Sequence, residues 1–288
     1  MLDVLIVGAG PAGLSAAIYT SRAGLNTKVI TGDAIGGLLT TTEQIDNYLG
    51  MFGSTGSDMA ENFKNHAEKF GAEIVYDTVE SIVESSNSFT TVLASGESIL
   101  SNAVIYATGS TPKKLGVQGE ELSGVSYCAT CDGDFFADER AVVVGGGETA
   151  AEDALYLAGV CSSVDVLVRG SDWRATAPAV QKLVDHPKVN IHMNTSIAEI
   201  FGDSFVEGVV LNNGDNLEVE GVFVAVGQSP NSSKASEYTT LFEDGFIKCS
   251  NVEGFFVAGD IKNPEYRQVA VAVGDGAKAG IDATRYIL

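Results

Sequence analysis

Cys128 and Cys131 lie two residues apart in the run Cys128-Ala129-Thr130-Cys131-Asp132-Gly133. Thiols at this spacing form a reversible redox pair: the first thiolate attacks a target disulfide and the second resolves the mixed disulfide. Asp132 is the acid available to handle a thiol proton if burial raises its pKa, although an Asp-Gly turn is the plainer use of the same dipeptide. A zinc site would need a second cysteine pair, and Cys161 and Cys249 are single and distant, so no metal is expected. As structural thiols, the two would stand before Asp-Gly by coincidence. His66, His186 and His192 share no spacing with each other or with the cysteines and read as surface or packing residues.

Two glycine-rich segments flank this pair. In Gly8-Ala9-Gly10-Pro11-Ala12-Gly13, Gly8 allows a tight turn, Gly10 lets backbone approach a pyrophosphate, and Gly13 permits close helix–strand packing. The helix that follows supplies amides and dipole to the phosphates. A ribose-binding acid belongs about 20 residues further on; Asp33 stands near there, but after Gly32 it is equally a turn residue. The second cradle, Gly145-Gly146-Gly147-Glu148-Thr149-Ala150, repeats the pattern with alanine at the close-packing position. No carboxylate ends its second strand. Arg169 and Arg174 follow instead, either to pair with a 2′-phosphate, favouring NADP over NAD, or as plain surface arginines.

The elements needed to position these groups are legible. Leu2–Val7 is a short apolar run expected to be a central parallel strand, followed by a helix to about Ala23 and a strand over 28–31. Residues 36–40 read as a loop, and 58–70 as a helix with Asp58 and Glu61 at its positive end. Alternating segments between Ala72 and Leu100 suggest an antiparallel meander, and 103–107 returns as a buried strand. Pro112-Lys113-Lys114 marks a domain boundary. Strand, glycine turn, helix and strand then recur, offset by about 137 residues, too long a period for a solenoid. A second meander with a turn at Asn213-Gly214, a strand over 221–226, a buried run over 255–260 and a helix from Arg267 to about Tyr286 complete the pattern.

The chain has 288 residues, 45% of them apolar, enough for two cores, and 38 acidic against 17 basic side chains give a net charge of −21. Residues 112–241 carry 8 basic and 19 acidic side chains (−11), and the remainder 9 and 19 (−10), so the acidity is spread over both halves. Such a field repels phosphate backbones and argues against a nucleic-acid partner. No secretory leader opens the sequence and no apolar run approaches the ~20 residues of a membrane span, which points to a cytoplasmic protein without a membrane partner.

Together these segments resemble the low-molecular-weight thioredoxin reductase family of flavoprotein disulfide reductases. Ile30-Thr31-Gly32, Gly36-Gly37, Thr108-Gly109, Phe223-Val224-Ala225-Val226-Gly227, Ser229-Pro230-Asn231, Ala258-Gly259-Asp260 and Tyr266-Arg267-Gln268 extend the match along essentially the whole chain. The resemblance implies an α/β fold of two Rossmann-like, three-layer ββα dinucleotide-binding domains. A discontinuous FAD domain would comprise 1–111 and 242–288, and an inserted NAD(P)H domain, 112–241, would carry the cysteines.

It also implies a homodimer whose second domain swings to present dithiol or nicotinamide to the flavin, and thioredoxin or a thioredoxin-like protein as partner. Cys131 becomes the flavin-side sulfur, Cys128 the attacker of thioredoxin and Asp132 the acid. FAD is assigned to Gly8, Gly10, Pro11, Ala12 and Gly13, to Gly32, Gly36, Gly37, Leu38 and Thr40, and to Asn47, Val79, Ala107, Thr108 and Gly109. On the same analogy Gly259 and Asp260 hold its ribityl–phosphate side, and Arg267, Gln268 and Val269 approach the ring. NADPH is assigned to Gly145, Gly146, Gly147, Glu148, Thr149, Arg169 and Arg174.

Three departures from the family pattern stand out. Gly36-Gly37-Leu38-Leu39 lacks an amide side chain near the flavin. Asp46-Asn47-Tyr48-Leu49-Gly50 lacks a proline, and Val168-Arg169-Gly170 keeps one residue of a basic cluster. Losing one charge-assisted contact, worth about 1.5–3 kcal/mol, weakens nucleotide binding ten- to more than a hundredfold. NADH, ferredoxin or a deazaflavin as donor, a dithiol oxidase, or a redox-sensing scaffold are therefore the competing readings.

Overall fold

The computed structural model describes residues 1–42, 44–85, 87–262 and 266–288. Its helices are α1 (Pro11–Arg22), α2 (Gly56–Lys69), α3 (Ala129–Asp132), α4 (Glu148–Val160), α5 (Ala177–Val184) and α6 (Val269–Ile287). The chain divides into two units, Met1–Thr111 with Ser229–Leu288, and Pro112–Gln228.

In the first unit the strand Ser98–Tyr106 changes character along its length, and the sheet changes with it. Ser98-Ile99-Leu100-Ser101 alternates exposed and buried positions and pairs antiparallel with Ser88–Leu93; Ala103-Val104-Ile105-Tyr106 is buried throughout and pairs in parallel with Leu2–Val7 and Phe255–Val257. A strand covered on both faces needs apolar residues at every position, whereas a half-covered one alternates. The resulting seven-stranded sheet runs Glu73–Val75, Thr27–Ile30, Leu2–Val7, Ser98–Tyr106, Ser88–Leu93, Val79–Ser85, with Phe255–Val257 also on Ser98–Tyr106. The expected antiparallel meander thus extends the parallel sheet from Val79 onward, and its expected start at Ala72 is corrected: Glu73–Val75 pairs in parallel with Thr27–Ile30.

Val4 and Ile6 pack with the small residues of α1 and α6, while Leu5 and Val7 face Phe89, Tyr106 and Phe255 on the other side. Helices α1 and α6 approach very closely. A Cβ at Gly276 would lie 2.0 Å from the Ala12 carbonyl oxygen, and Ser15 Oγ donates to the Val273 carbonyl at 2.8 Å.

The second unit repeats the plan with an all-parallel sheet ordered Val189–Met193, Ser163–Val168, Arg140–Val144, Gly221–Val224, Val125–Ser126. A separate antiparallel sheet holds Ile197–Phe201, Gly208–Leu211 and Asn216–Leu217. The chain rejoins the first unit at Ser229, earlier than the expected 242. The cause is local: Asn231 and Tyr238 bond to the first unit, the Asn231 carbonyl accepting from Tyr106 Oη at 2.7 Å and Tyr238 Oη donating to the Ile82 carbonyl. Among the described residues no helix is long and apolar enough to cross a membrane.

Candidate active site

The first cradle is shaped by where side chains cannot go. Gly8 turns the chain at φ +105° and donates its amide to the Ile30 carbonyl at 2.8 Å. A Cβ at Gly8 would stand 2.4 Å from the Ala107 carbonyl oxygen, and one at Gly13 1.8 Å from the Gly8 carbonyl oxygen. Gly10 is different, since its Cβ would find its nearest neighbour, the Gly36 carbonyl oxygen, at 3.9 Å. Gly10 also caps α1 without a side-chain bond, and Pro11 at the first position has no N–H. The remaining first-turn amides have no intrahelical acceptor, and this free helix start beside an unobstructed glycine is what the phosphates of a dinucleotide require.

Gly36 donates its amide to the Ala9 carbonyl at 2.9 Å, drawing the next segment beside the cradle. That segment is a 3₁₀ turn, Gly37–Thr41, where a loop was expected; Thr40 Oγ1 closes it by donating to the Gly37 carbonyl at 2.9 Å, with Leu38 half-buried. Gly32 (φ +74°) and the exposed Asp33 occupy the turn after Thr27–Ile30. Ala107, Thr108 and Gly109 follow the end of Ser98–Tyr106. They are pinned by Asn231, whose Nδ2 donates to the Thr108 carbonyl at 3.0 Å and whose amide donates to the Gly109 carbonyl at 3.1 Å. Ser229-Pro230-Asn231 was legible as a motif, but this role was not. The Val79 side chain is buried in the core, so only its backbone is left for a ligand.

At the start of α6, Gln268 is the cap and its Oε1 accepts from Asn47 Nδ2 at 3.2 Å; Val269 packs beside Leu39. Gly259 (φ +81°) could not carry a Cβ without meeting the Ala12 methyl at 2.8 Å. The Asp260 carboxyl has no hydrogen bond among the described residues. Burial pushes its pKa up to about 6, against the pull of Arg267 and with the help of Asp275. A half-buried carboxylate beside a glycine cradle, with only the charge of Arg267 to offset its burial, is what a hydroxyl-bearing ribityl chain would satisfy. The site fits FAD.

The second cradle repeats the geometry. The Gly145 amide donates to the Leu167 carbonyl at 3.0 Å, and a Cβ there would lie 2.4 Å from the Ala225 carbonyl oxygen. Gly146 is closed by Val168, but a Cβ on Gly147 meets nothing within 4 Å, and Gly147 caps α4 without a side-chain bond. Ala150 is fully buried and Thr149 exposed. Glu148 does not point to an empty site: its carboxylate accepts from the Thr176 amide at 2.7 Å and hydroxyl at 3.1 Å. The Arg174 amide donates to the Gly146 carbonyl at 2.7 Å, so the loop over 169–176 is fastened to the cradle at two points. Arg169 and Arg174 are exposed and make no ion pair among the described residues, which leaves both guanidinium groups available to a phosphate.

Cys128 and Cys131 form a disulfide, both half-buried, at the ends of the first turn of α3. Asp132 closes that turn and its Oδ2 accepts from Ser126 Oγ at 2.6 Å. Cys161 is buried, and burial pushes its thiol up to about 11, while Cys249 is exposed. His192 lies half-buried on Val189–Met193 and meets Asp165 of the neighbouring strand at 2.7 Å.

Two glycine cradles and a disulfide in one chain define a dinucleotide-dependent disulfide oxidoreductase. Residues 2–276 match the pyridine nucleotide-disulphide oxidoreductase family. The chain is 38% identical to the thioredoxin reductase of Vibrio cholerae, covering 99% of this chain and 96% of that protein, and 39% identical to the glucosaminate ammonia-lyase of Pseudomonas fluorescens, covering 99% and 95%. The crystal structure of thioredoxin reductase from Streptococcus pyogenes superimposes with a TM-score of 0.92 at 34% identity, covering 99% and 98% of the two chains. The chain belongs to the pyridine nucleotide-disulphide oxidoreductases, in their low-molecular-weight thioredoxin reductase branch, and is a flavin- and pyridine-nucleotide-dependent enzyme.

Proposed function

We propose that this chain carries electrons from NADPH through FAD to the Cys128–Cys131 disulfide and on to the disulfide of a thioredoxin-like protein. The observation that carries the reading is the half-buried disulfide itself, in a chain that also holds two glycine cradles at helix starts. An ammonia elimination moves no electron pair through a dithiol, so the ammonia-lyase name borne by one relative leaves this disulfide without a task.

When bound, the pyridine nucleotide supplies a hydride and the flavin relays its electron pair; the rest falls to the chain's own residues. Gly10 with the first turn of α1, and Gly147 with the first turn of α4, hold the two diphosphates. Asp260 would accept from the ribityl hydroxyls, and Asn47, Gln268 and Val269 would hold the ring end. Arg169 and Arg174 bind the 2′-phosphate. In the reduced pair the Cys128 thiolate attacks the partner's disulfide. The partner's disulfide breaks as a mixed disulfide to Cys128 forms; Cys131 then attacks the Cys128 sulfur, so the Cys128–Cys131 bond forms as the mixed disulfide breaks, and the partner leaves with two more electrons as a dithiol. Asp132 gives a proton to the thiolate that departs. A homodimer and a cytoplasmic setting complete the proposal.

Anaerobic titration of the purified flavoprotein with NADPH and, separately, NADH tests donor and cofactor together. Bleaching of the flavin by NADPH at lower concentration than by NADH supports the reading. A flavin that stays yellow with both and bleaches with ferredoxin would move the donor assignment, a reading favoured by Gly170 in the basic segment. Cys128→Ser should abolish thioredoxin reduction while leaving flavin reduction intact.

A further inference from the structure

Ser126 lies two residues before the first redox cysteine, on the strand Val125–Ser126, and is buried to 6% exposure. Its hydroxyl sits at a junction of three groups. The oxygen accepts from the Cys128 amide at 3.1 Å. Its one proton has two acceptors, Asp132 Oδ2 at 2.6 Å and the Cys128 carbonyl at 3.4 Å. We infer that Ser126 is the positioning residue of the proposed acid, a hydroxyl rotor that holds the Asp132 carboxyl in both of its protonation states. The inference rests on the reading of Asp132 as the acid.

An ionised carboxylate is acceptor only, and a half-buried one such as Asp132 gains from a donor; a protonated carboxyl gains a donor and needs an acceptor. A fixed amide could serve only the first state and a carbonyl only the second. A serine hydroxyl serves both. With Asp132 ionised, Ser126 gives its proton to Oδ2 across the short 2.6 Å contact, the charge-assisted arrangement. With Asp132 protonated, the carboxyl donates to Ser126 Oγ, and the serine proton turns to the Cys128 carbonyl at 3.4 Å. When Asp132 hands its proton to a thiolate, the O–H bond of the acid breaks, an S–H bond forms, and the serine proton swings back to the new carboxylate. Because the Cys128 amide is the third partner, this switch is tied to the backbone of the attacking sulfur.

Removing the hydroxyl takes a donor from the charged form, so the Asp132 pKa must rise. The ionisable side chains of the elements packed on this turn are Asp134, which accepts from Tyr156 Oη of α4 at 3.2 Å, Tyr127, which donates to Glu120 at 2.9 Å, and Glu148, Glu152 and Asp153 of α4. The bonds of Ser126 Oγ run to Asp132 and to the Cys128 backbone, so the variant takes no hydrogen bond from these groups.

The test is the pH profile of thioredoxin-disulfide reduction by the holoenzyme for wild type, Ser126→Ala, Ser126→Thr and Asp132→Asn, with flavin content confirming that each is folded. The acid's limb, where the rate falls with rising pH, should move up by about one pH unit in Ser126→Ala, return toward wild type in Ser126→Thr, and vanish in Asp132→Asn. A Ser126→Ala profile lowered evenly with its limb unmoved, while Asp132→Asn loses the limb, would overturn the role of Ser126 alone. An Asp132→Asn profile that keeps the wild-type limb would overturn the acid assignment itself, and this inference with it.

Discussion

The Asn47 side-chain amide donates to Gln268 Oε1 at 3.2 Å, joining residues 221 positions apart. One stands in the segment that lacks the family's proline, the other caps α6, and both are assigned to the flavin. The bond is exposed, so its net worth is about 0.5–1.5 kcal/mol. Asn47→Ala should lower the stability of the flavin-free protein by no more than that amount and, since Asn47 is also assigned to the flavin, lower that of the loaded protein further, with the FAD dissociation constant raised two- to tenfold. Fluorescence of released flavin on dilution checks this; equal losses in the flavin-free and loaded forms would make Asn47 a structural residue.

Gly145 and Gly147 stand two residues apart and should respond oppositely to a methyl group. A Cβ at Gly145 would press to 2.4 Å on the Ala225 carbonyl oxygen, whereas at Gly147 it would meet open space. Gly145→Ala should therefore unfold the second unit at lower denaturant. Gly147→Ala should fold with a cost below about 1 kcal/mol, from the poorer helix cap, yet lose pyridine nucleotide affinity at least tenfold. Urea unfolding beside nucleotide titration separates the two.

Asp260 titrates near 3.8 when unfolded and at about 6 in the folded chain. A raised carboxyl pKa means that the folded form holds the extra proton between those values. Stability from this group is thus intact below about pH 4 and is lost as pH rises to about 6, by roughly 3 kcal/mol in full. In flavin-free protein, Asp260→Asn should exceed wild type in stability, with a gap that widens between pH 5 and pH 8, while FAD binds less tightly. A gap that stays constant with pH would assign the gain to repacking instead of charge.

Gly170 is exposed, and a Cβ there would find its nearest neighbours, the Asp172 amide nitrogen and carbonyl oxygen, at 3.8 Å, so a side chain fits. Gly170→Arg should improve NADPH affinity about tenfold or more and leave NADH affinity little changed, since only the former carries a 2′-phosphate. Arg169→Ala should do the reverse. Stopped-flow flavin reduction with each nucleotide gives both numbers.

Glycine chemistry made the two cradles legible, because a residue type that permits contact with backbone oxygens has few other reasons to recur at that spacing. The apolar runs Leu2–Val7 and Arg140–Val144 were likewise plain, being buried on both faces. Ser98–Tyr106 was not: half of it reads as meander and half as core strand, and nothing local says that the halves are one element. Partners distant in sequence stayed hidden as well. Glu148 reads as part of the phosphate cradle until Thr176 is seen on its carboxylate, and Asn231 is only the end of a matched motif until its bonds to Thr108 and Gly109 are drawn. Ser126 and Asp132 lie six apart, a spacing with no meaning until α3 folds the chain back.

The discontinuity of the first unit has a consequence for synthesis on the ribosome. Residues 112–228 contain every strand of their own sheets and can complete their core while later codons are still being read. The opening segment cannot. Its central sheet waits for Phe255–Val257, and α1 stays uncovered until Gly276 and Gly280 of α6 arrive to meet Ala12 and Ala16. The middle of this polypeptide therefore matures before its beginning, and the apolar strand Leu2–Val7 is the part of the nascent chain left longest in need of a chaperone.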